Sequence, residues 1–83
     1  MSAGPNQLVL TPQPPQYFDY RRASSDAGLA PDQLHALIVI FERDYPYDVM
    51  LRELHVLRAC NSISRGGVTI QQILSAPFEE RAA

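Results

Sequence analysis

The chain has 83 residues, a formal net charge of −2 and one cysteine. This length allows one domain at most, and the weakly acidic balance lacks the basic patch that nucleic-acid binding requires. A lone cysteine excludes an internal disulfide framework and suits a reducing compartment. No segment has the roughly 18 apolar residues of a membrane span, and the start of the chain lacks a signal-peptide pattern. We therefore expect a cytoplasmic protein that does not bind membranes.

Residues 1–28 are predicted to form a flexible, Pro-rich tail, because four of the seven prolines lie before residue 16 and little between them can be buried. Residues 8–10 are apolar and fit either a short strand or a segment that packs on the domain; the sequence leaves both alternatives open. Pro14 to Tyr17 match the P-P-x-Y pattern of WW-domain ligands, and residues 21–24 match an R-R-x-S kinase pattern. Either match also arises by chance in a linker.

Three aromatic residues within four positions are unusual for a linker, and we expect them to contact this domain or a partner. They are Tyr17, Phe18 and Tyr20.

The segment 31–44 is predicted to be the first helix. Pro31 suits the first helical position and Asp32 complements the positive helix end. Apolar residues recur at three- and four-residue spacing from Leu34 to Tyr45. Residues 36–41 are apolar nearly all round, which fits a buried helix or a buried strand, and the flanking residues favour the helix.

A long amphipathic helix is predicted over 46–65, from Pro46 to the Gly66-Gly67 stop. It carries two apolar stripes. The first stripe consists of Tyr47, Met50, Leu51, Leu54 and Leu57 and runs on to Asn61; the second stripe consists of Val49, Val56, Cys60 and Ile63.

One stripe is enough to pack against the first helix, so we expect the second stripe to be left without full cover. Leaving a four-residue stripe in water costs several kcal/mol at about 25 cal/mol per Å². The second stripe is therefore the predicted partner-binding site, with the three aromatic residues of the tail as further contacts. Glu53, beside the stripes, is interpreted as an edge carboxylate paired with an Arg.

The third predicted helix spans 69–76. Thr69 followed by Gln72 three residues later is a capping box. The sequence thus predicts an all-α, three-helix domain over residues 29–78, with a disordered end at 79–83.

No residue pattern indicates a catalytic, cofactor or metal site. His55 and Cys60 diverge by roughly 140° on a helix and cannot share a metal. Our hypothesis is a non-catalytic interaction or adaptor module that binds another protein or a second copy of itself, as a homodimer. The alternative is a DNA-binding regulator, since the Gly turn followed by V-T-I-x-x-I-L resembles the start of a helix-turn-helix. That resemblance ends at Leu74, after which no recognition helix or basic cluster is predicted.

Overall fold

The computed structural model describes residues 14–82, so the predictions for residues 8–10 lie outside the described part. The described residues contain no strand, and five helices follow in order. They are α1 (Tyr20–Asp26), α2 (Pro31–Asp44), α3 (Val49–Ser64), α4 (Ile70–Ser75) and α5 (Phe78–Ala82). The predicted all-α class is confirmed. None of these helices combines the length and the apolar character that crossing a membrane requires.

Helix α2 has the predicted bounds, and residues 36–41 are helical. Pro31 is its first residue, and the Gln33 side chain accepts a hydrogen bond from the Ala30 amide at 2.8 Å. Leu37 and Phe41 are its buried residues, 0% and 3% exposed. Four residues apart, they lie on the same helical face and direct it to the core.

Helix α3 begins at Val49, three residues later than predicted, because Asp48 rather than Pro46 starts it. The Asp48 carboxylate accepts a hydrogen bond from the Leu51 amide at 3.0 Å, which satisfies one of the open donors of the first turn. Gly66 adopts a φ of 77° and ends the helix as predicted.

Helix α1 lies inside the region that was predicted to be a tail, and that prediction is wrong for residues 20–26. Asp19 caps the helix through a 3.2 Å bond from the Arg22 amide, and Gly28 ends it with a φ of 73°. The buried face holds Tyr20 and two small residues, Ala23 and Ser24. Ser24, the target of the R-R-x-S pattern, is only 3% exposed.

Helix α5 occupies residues that were predicted to form a disordered end, so that prediction is wrong for 79–82. Arg81 donates to both Asp44 oxygens at 2.7 Å, and its Nη1 also donates to the Ala76 carbonyl. The two side chains are 9% and 5% exposed. Hydrogen bonding to Asp44 raises the pKa of Arg81 above its ordinary value. This ion pair joins the chain's last helix to the end of α2.

Helix α3 is central, since α1 and α2 both pack against it, while α4 packs on α2. The capping box of Thr69 and Gln72 is confirmed by reciprocal bonds of 2.9 and 3.2 Å. The core consists of eight buried side chains contributed by α1 to α4: Tyr20, Ala23, Leu37, Phe41, Val56, Ala59, Cys60 and Ile70.

Candidate interaction surface

The second stripe of α3 faces inward. Val56 is 1% exposed and Cys60 is 0% exposed, and Ile63 packs against the same core; Val49 is half-buried. The expectation that this stripe lacks cover is therefore wrong. The missing cover is α1, because Tyr20 and Ala23 belong to the same cluster. Partner binding by these residues stays a prediction, but Val56 and Cys60 are closed to a partner while the chain is folded.

The three aromatic residues before and within α1 separate into different environments. Tyr20 is 5% exposed and belongs to the core, Phe18 is half-buried, and Tyr17 is 56% exposed. Burial, followed by the nearby Glu53 carboxylate, raises the pKa of Tyr20. Of the three, Tyr17 is the one that the folded chain presents most openly to a partner.

Glu53 is the buried anchor of the segment that leads into α1. Its side chain is not paired with an Arg as expected but accepts hydrogen bonds from three consecutive main-chain amides, those of residues 16, 17 and 18. The distances are 3.0 and 2.8 Å to Gln16, 2.7 Å to Tyr17 and 3.2 Å to Phe18. The residue is 6% exposed. Hydrogen bonds from amides to a carboxylate are charge-assisted and therefore strong. Glu53 thus fixes the position of the main chain at Tyr17.

The first stripe faces outward. Met50 is 52% exposed. Tyr47, predicted to lie on the helix, lies instead in the turn before α3 and is 98% exposed. Leu51, Leu54 and Leu57 are half-buried, of which Leu57 also packs against the core. The exposed apolar surface of α3 therefore lies on the first stripe and not, as predicted, on the second.

Two polar residues on α3 indicate this orientation. Arg58 and Asn61 are exposed, and on a helical wheel both lie within about 40° of Leu54. Buried faces rarely hold an unpaired Arg, so these two residues mark the first stripe as the solvent side. The orientation of α3 is indicated in the sequence by the polar residues beside each stripe and not by the number of apolar residues in it.

A fixed turn between α2 and α3 presents Tyr47. Arg52 donates to the Tyr45 carbonyl at 3.2 Å and to the Pro46 carbonyl at 3.0 Å. His55 contacts the Tyr45 hydroxyl at 3.3 Å and stacks on its ring at 4.7 Å. Because α3 holds the two residues before Tyr47, the exposure of the Tyr47 side chain is set by a fixed turn rather than by a loose loop.

The side chains that could act in catalysis or bind a metal are held in hydrogen bonds or buried. His55 uses Nδ1 on the Leu51 carbonyl at 2.9 Å and Nε2 on Tyr45. Burial raises the pKa of the Cys60 thiol to about 11, which disfavours the nucleophilic thiolate. Within residues 14–82, no three His, Cys, Asp or Glu side chains are grouped closely enough to hold a metal.

One open groove lies between α1 and α2. Its volume is about 420 Å³, and its walls include Leu29, Leu34 and Ile38 with His35 and Ser25 beside them. His35 is exposed. The lining also includes the buried Ser24, 3% exposed. The groove is open to solvent, whereas small-ligand sites enclose most of their ligand, so the outward stripe of α3 is the better candidate.

Comparison of the chain with protein-family models, with curated proteins and with solved structures found no match in any of the three.

Proposed function

We propose that the protein is a non-catalytic interaction module that binds a helical partner through the first stripe of α3. The observation that carries this proposal is the apolar surface at the start of α3: Met50 on the helix is 52% exposed beside the half-buried Leu54, and Tyr47 in the preceding turn is 98% exposed. Large apolar side chains scattered singly on a surface need no explanation, but a contiguous stripe marks an interaction site.

The shape of the stripe favours a helix as the partner. On α3 it runs from Met50 to Asn61, which corresponds to about 17 Å. Apolar residues at three- and four-residue spacing are the pattern by which one helix docks along another. Tyr17, held in place through Glu53, adds an exposed aromatic side chain from a neighbouring segment.

The rigidity of the surroundings supports the same function. Asp48 caps the helix, and Arg52 fixes the turn that carries Tyr47. A binding surface on a fixed helix loses little conformational entropy when its partner arrives.

The alternative hypothesis of DNA binding has no observation in its favour. Helix α4 has six residues, with exposed Gln71 and Gln72 and no Lys or Arg. The next helix opens with Glu79 and Glu80, whose charges repel phosphate.

The test is capture from an extract of the source cells with the tagged full chain, its Leu54→Glu variant and its Val39→Glu variant. Val39 is the matched control, since it is 36% exposed on α2 and lies away from the stripe. We expect Leu54→Glu to lose the captured proteins, an untagged copy of the chain included, while Val39→Glu retains them. Equal capture by all three chains contradicts the proposal, provided that circular dichroism shows that all three are folded.

A further inference from the structure

We infer that Pro14, Pro15 and Tyr17 form a binding site for a WW-type domain, a partner domain that binds polyproline II segments in a groove lined by aromatic side chains. The inference goes beyond the proposed function, because it assigns a second partner to a segment outside α3. It follows from the exposure of the motif, from the conformation that two successive prolines impose and from the way in which Glu53 holds the main chain.

Folding separates the two short motifs that lie before and within α1. Ser24, the target residue of the R-R-x-S pattern, is 3% exposed, whereas Tyr17, the last residue of the P-P-x-Y pattern, is 56% exposed. Pro14 and Gln16 are exposed as well, and Pro15 is half-buried. The folded chain therefore closes the R-R-x-S motif and presents the P-P-x-Y motif to a partner.

Two successive prolines prepare the main chain for a groove of this type. The ring of each proline fixes φ near −65°, and a residue that precedes a proline is restricted to extended backbone. Both restrictions apply to Pro14, so this residue favours polyproline II before a partner arrives. In the described chain the bend begins at Gln16, after the two prolines. Docking of the prolines therefore costs little conformational entropy.

The main-chain donors of the motif are already satisfied. Prolines have no N–H group, and the amides of Gln16 and Tyr17 donate to Glu53 at 2.8 and 2.7 Å. A partner groove that covers these four residues buries no unpaired N–H, whereas burial of an unpaired N–H is unfavourable. Glu53 thus fixes the position of the motif and also removes a cost of covering it.

Tyr17 is the anchor of the motif. A tyrosine side chain offers a large apolar area together with a hydroxyl group, and such residues dominate the energetics of many interfaces. Its main chain is held by Glu53, so only two side-chain torsions remain to be fixed on binding. A surface cleft of about 320 Å³, lined by residues 15–19, offers room for a side chain of the partner.

Titration calorimetry of the full chain with an isolated WW domain of the class that binds P-P-x-Y peptides tests the inference. We expect Tyr17→Ala to weaken binding at least tenfold, because the motif loses its aromatic side chain. Tyr47→Ala is the matched control, since Tyr47 is 98% exposed outside the motif, and it should leave the affinity unchanged. Should Tyr17→Ala fail to fold, Pro14→Ala replaces it. An unaltered chain that does not bind, or a folded motif variant that binds as tightly, overturns the inference.

Glu53→Gln tests the fixed presentation of the motif. Residues 16–18 must then be ordered by the partner, so we expect binding about three- to tenfold weaker, while Glu42→Gln should retain the affinity. Leu54→Glu should also retain it, because the first stripe is not part of this site. Tighter binding by Glu53→Gln shows that Glu53 withholds the motif, and a loss in folded Leu54→Glu shows that the WW domain binds the stripe; either result overturns the inference.

Discussion

The two apolar stripes of α3 lie on one helix, but the folded chain treats them differently. The second stripe meets α1 and α2 and is closed, with Val56 and Cys60 at 1% and 0% exposure. The first stripe keeps Met50 at 52% exposure, and Tyr47 in the turn before it is 98% exposed. Hydrophobic content alone does not assign a face to the core; what matters is which face the rest of the chain can cover.

Glu53 sharpens this contrast, because the closed side contains a carboxylate and the open side contains leucines. The carboxylate is tolerated there since three amides of the incoming chain donate to it. The same bonds bring α1 onto α3. Glu53, a polar residue on the inward face of α3, thus helps to position α1, and α1 in turn buries the apolar residues of the second stripe.

The largest predicted effect comes from placing the same charge on either stripe. Val56→Asp should unfold the chain, because an unpaired buried carboxylate costs about 4 kcal/mol or more, close to the whole stability of a domain this small. Met50→Asp should change the free energy of unfolding by less than about 0.5 kcal/mol. Urea denaturation followed by circular dichroism measures both. A folded, helical Val56→Asp chain contradicts the assignment of the second stripe to the core.

A smaller effect is expected from Glu53→Gln. The amide keeps one acceptor but brings an NH₂ group against main-chain donors, which should cost about 2–4 kcal/mol. Amide hydrogen exchange should show residues 16–18 losing protection. The control is Glu42→Gln, since the Glu42 side chain is 53% exposed and forms only a long 3.9 Å ion pair, worth less than about 1 kcal/mol. Protection of residues 16–18 that survives in Glu53→Gln argues against Glu53 as their anchor.

The sequence predicted the helices that have strong local signals. Pro31 and Asp32 mark the start of α2, the pair Thr69 and Gln72 marks α4, and Gly66 marks the end of α3. These signals act within a few residues, so they can be recognised without knowledge of the fold. The all-α class followed from them together with the helical spacing of the apolar residues.

The cover over the second stripe of α3 could not be predicted in the same way, because α1 supplies it. That helix buries Ala23 and Ser24, which do not register as an apolar stripe, and its anchor is a carboxylate more than thirty residues away. Because residues 20–26 were predicted to belong to a tail, the prediction lacked one of the helices that cover α3. Contacts distant in sequence therefore decided the candidate site, whereas local patterns decided most helix bounds.

The smallest effect concerns pH and the closed stripe. Burial raises the pKa of Cys60 from 9.0 to about 11, and burial also raises the pKa of Tyr20. Between pH 9 and 11 the unfolded thiol has lost its proton while the folded thiol retains it, so stability falls as pH rises. At pH 10 the Cys60 contribution to this loss is about 1.4 kcal/mol. Urea midpoints at pH 8 and pH 10 measure the loss, and Cys60→Ala should show a smaller one. An equal loss in both chains excludes the thiol as a cause and leaves Tyr20 as the buried group that titrates.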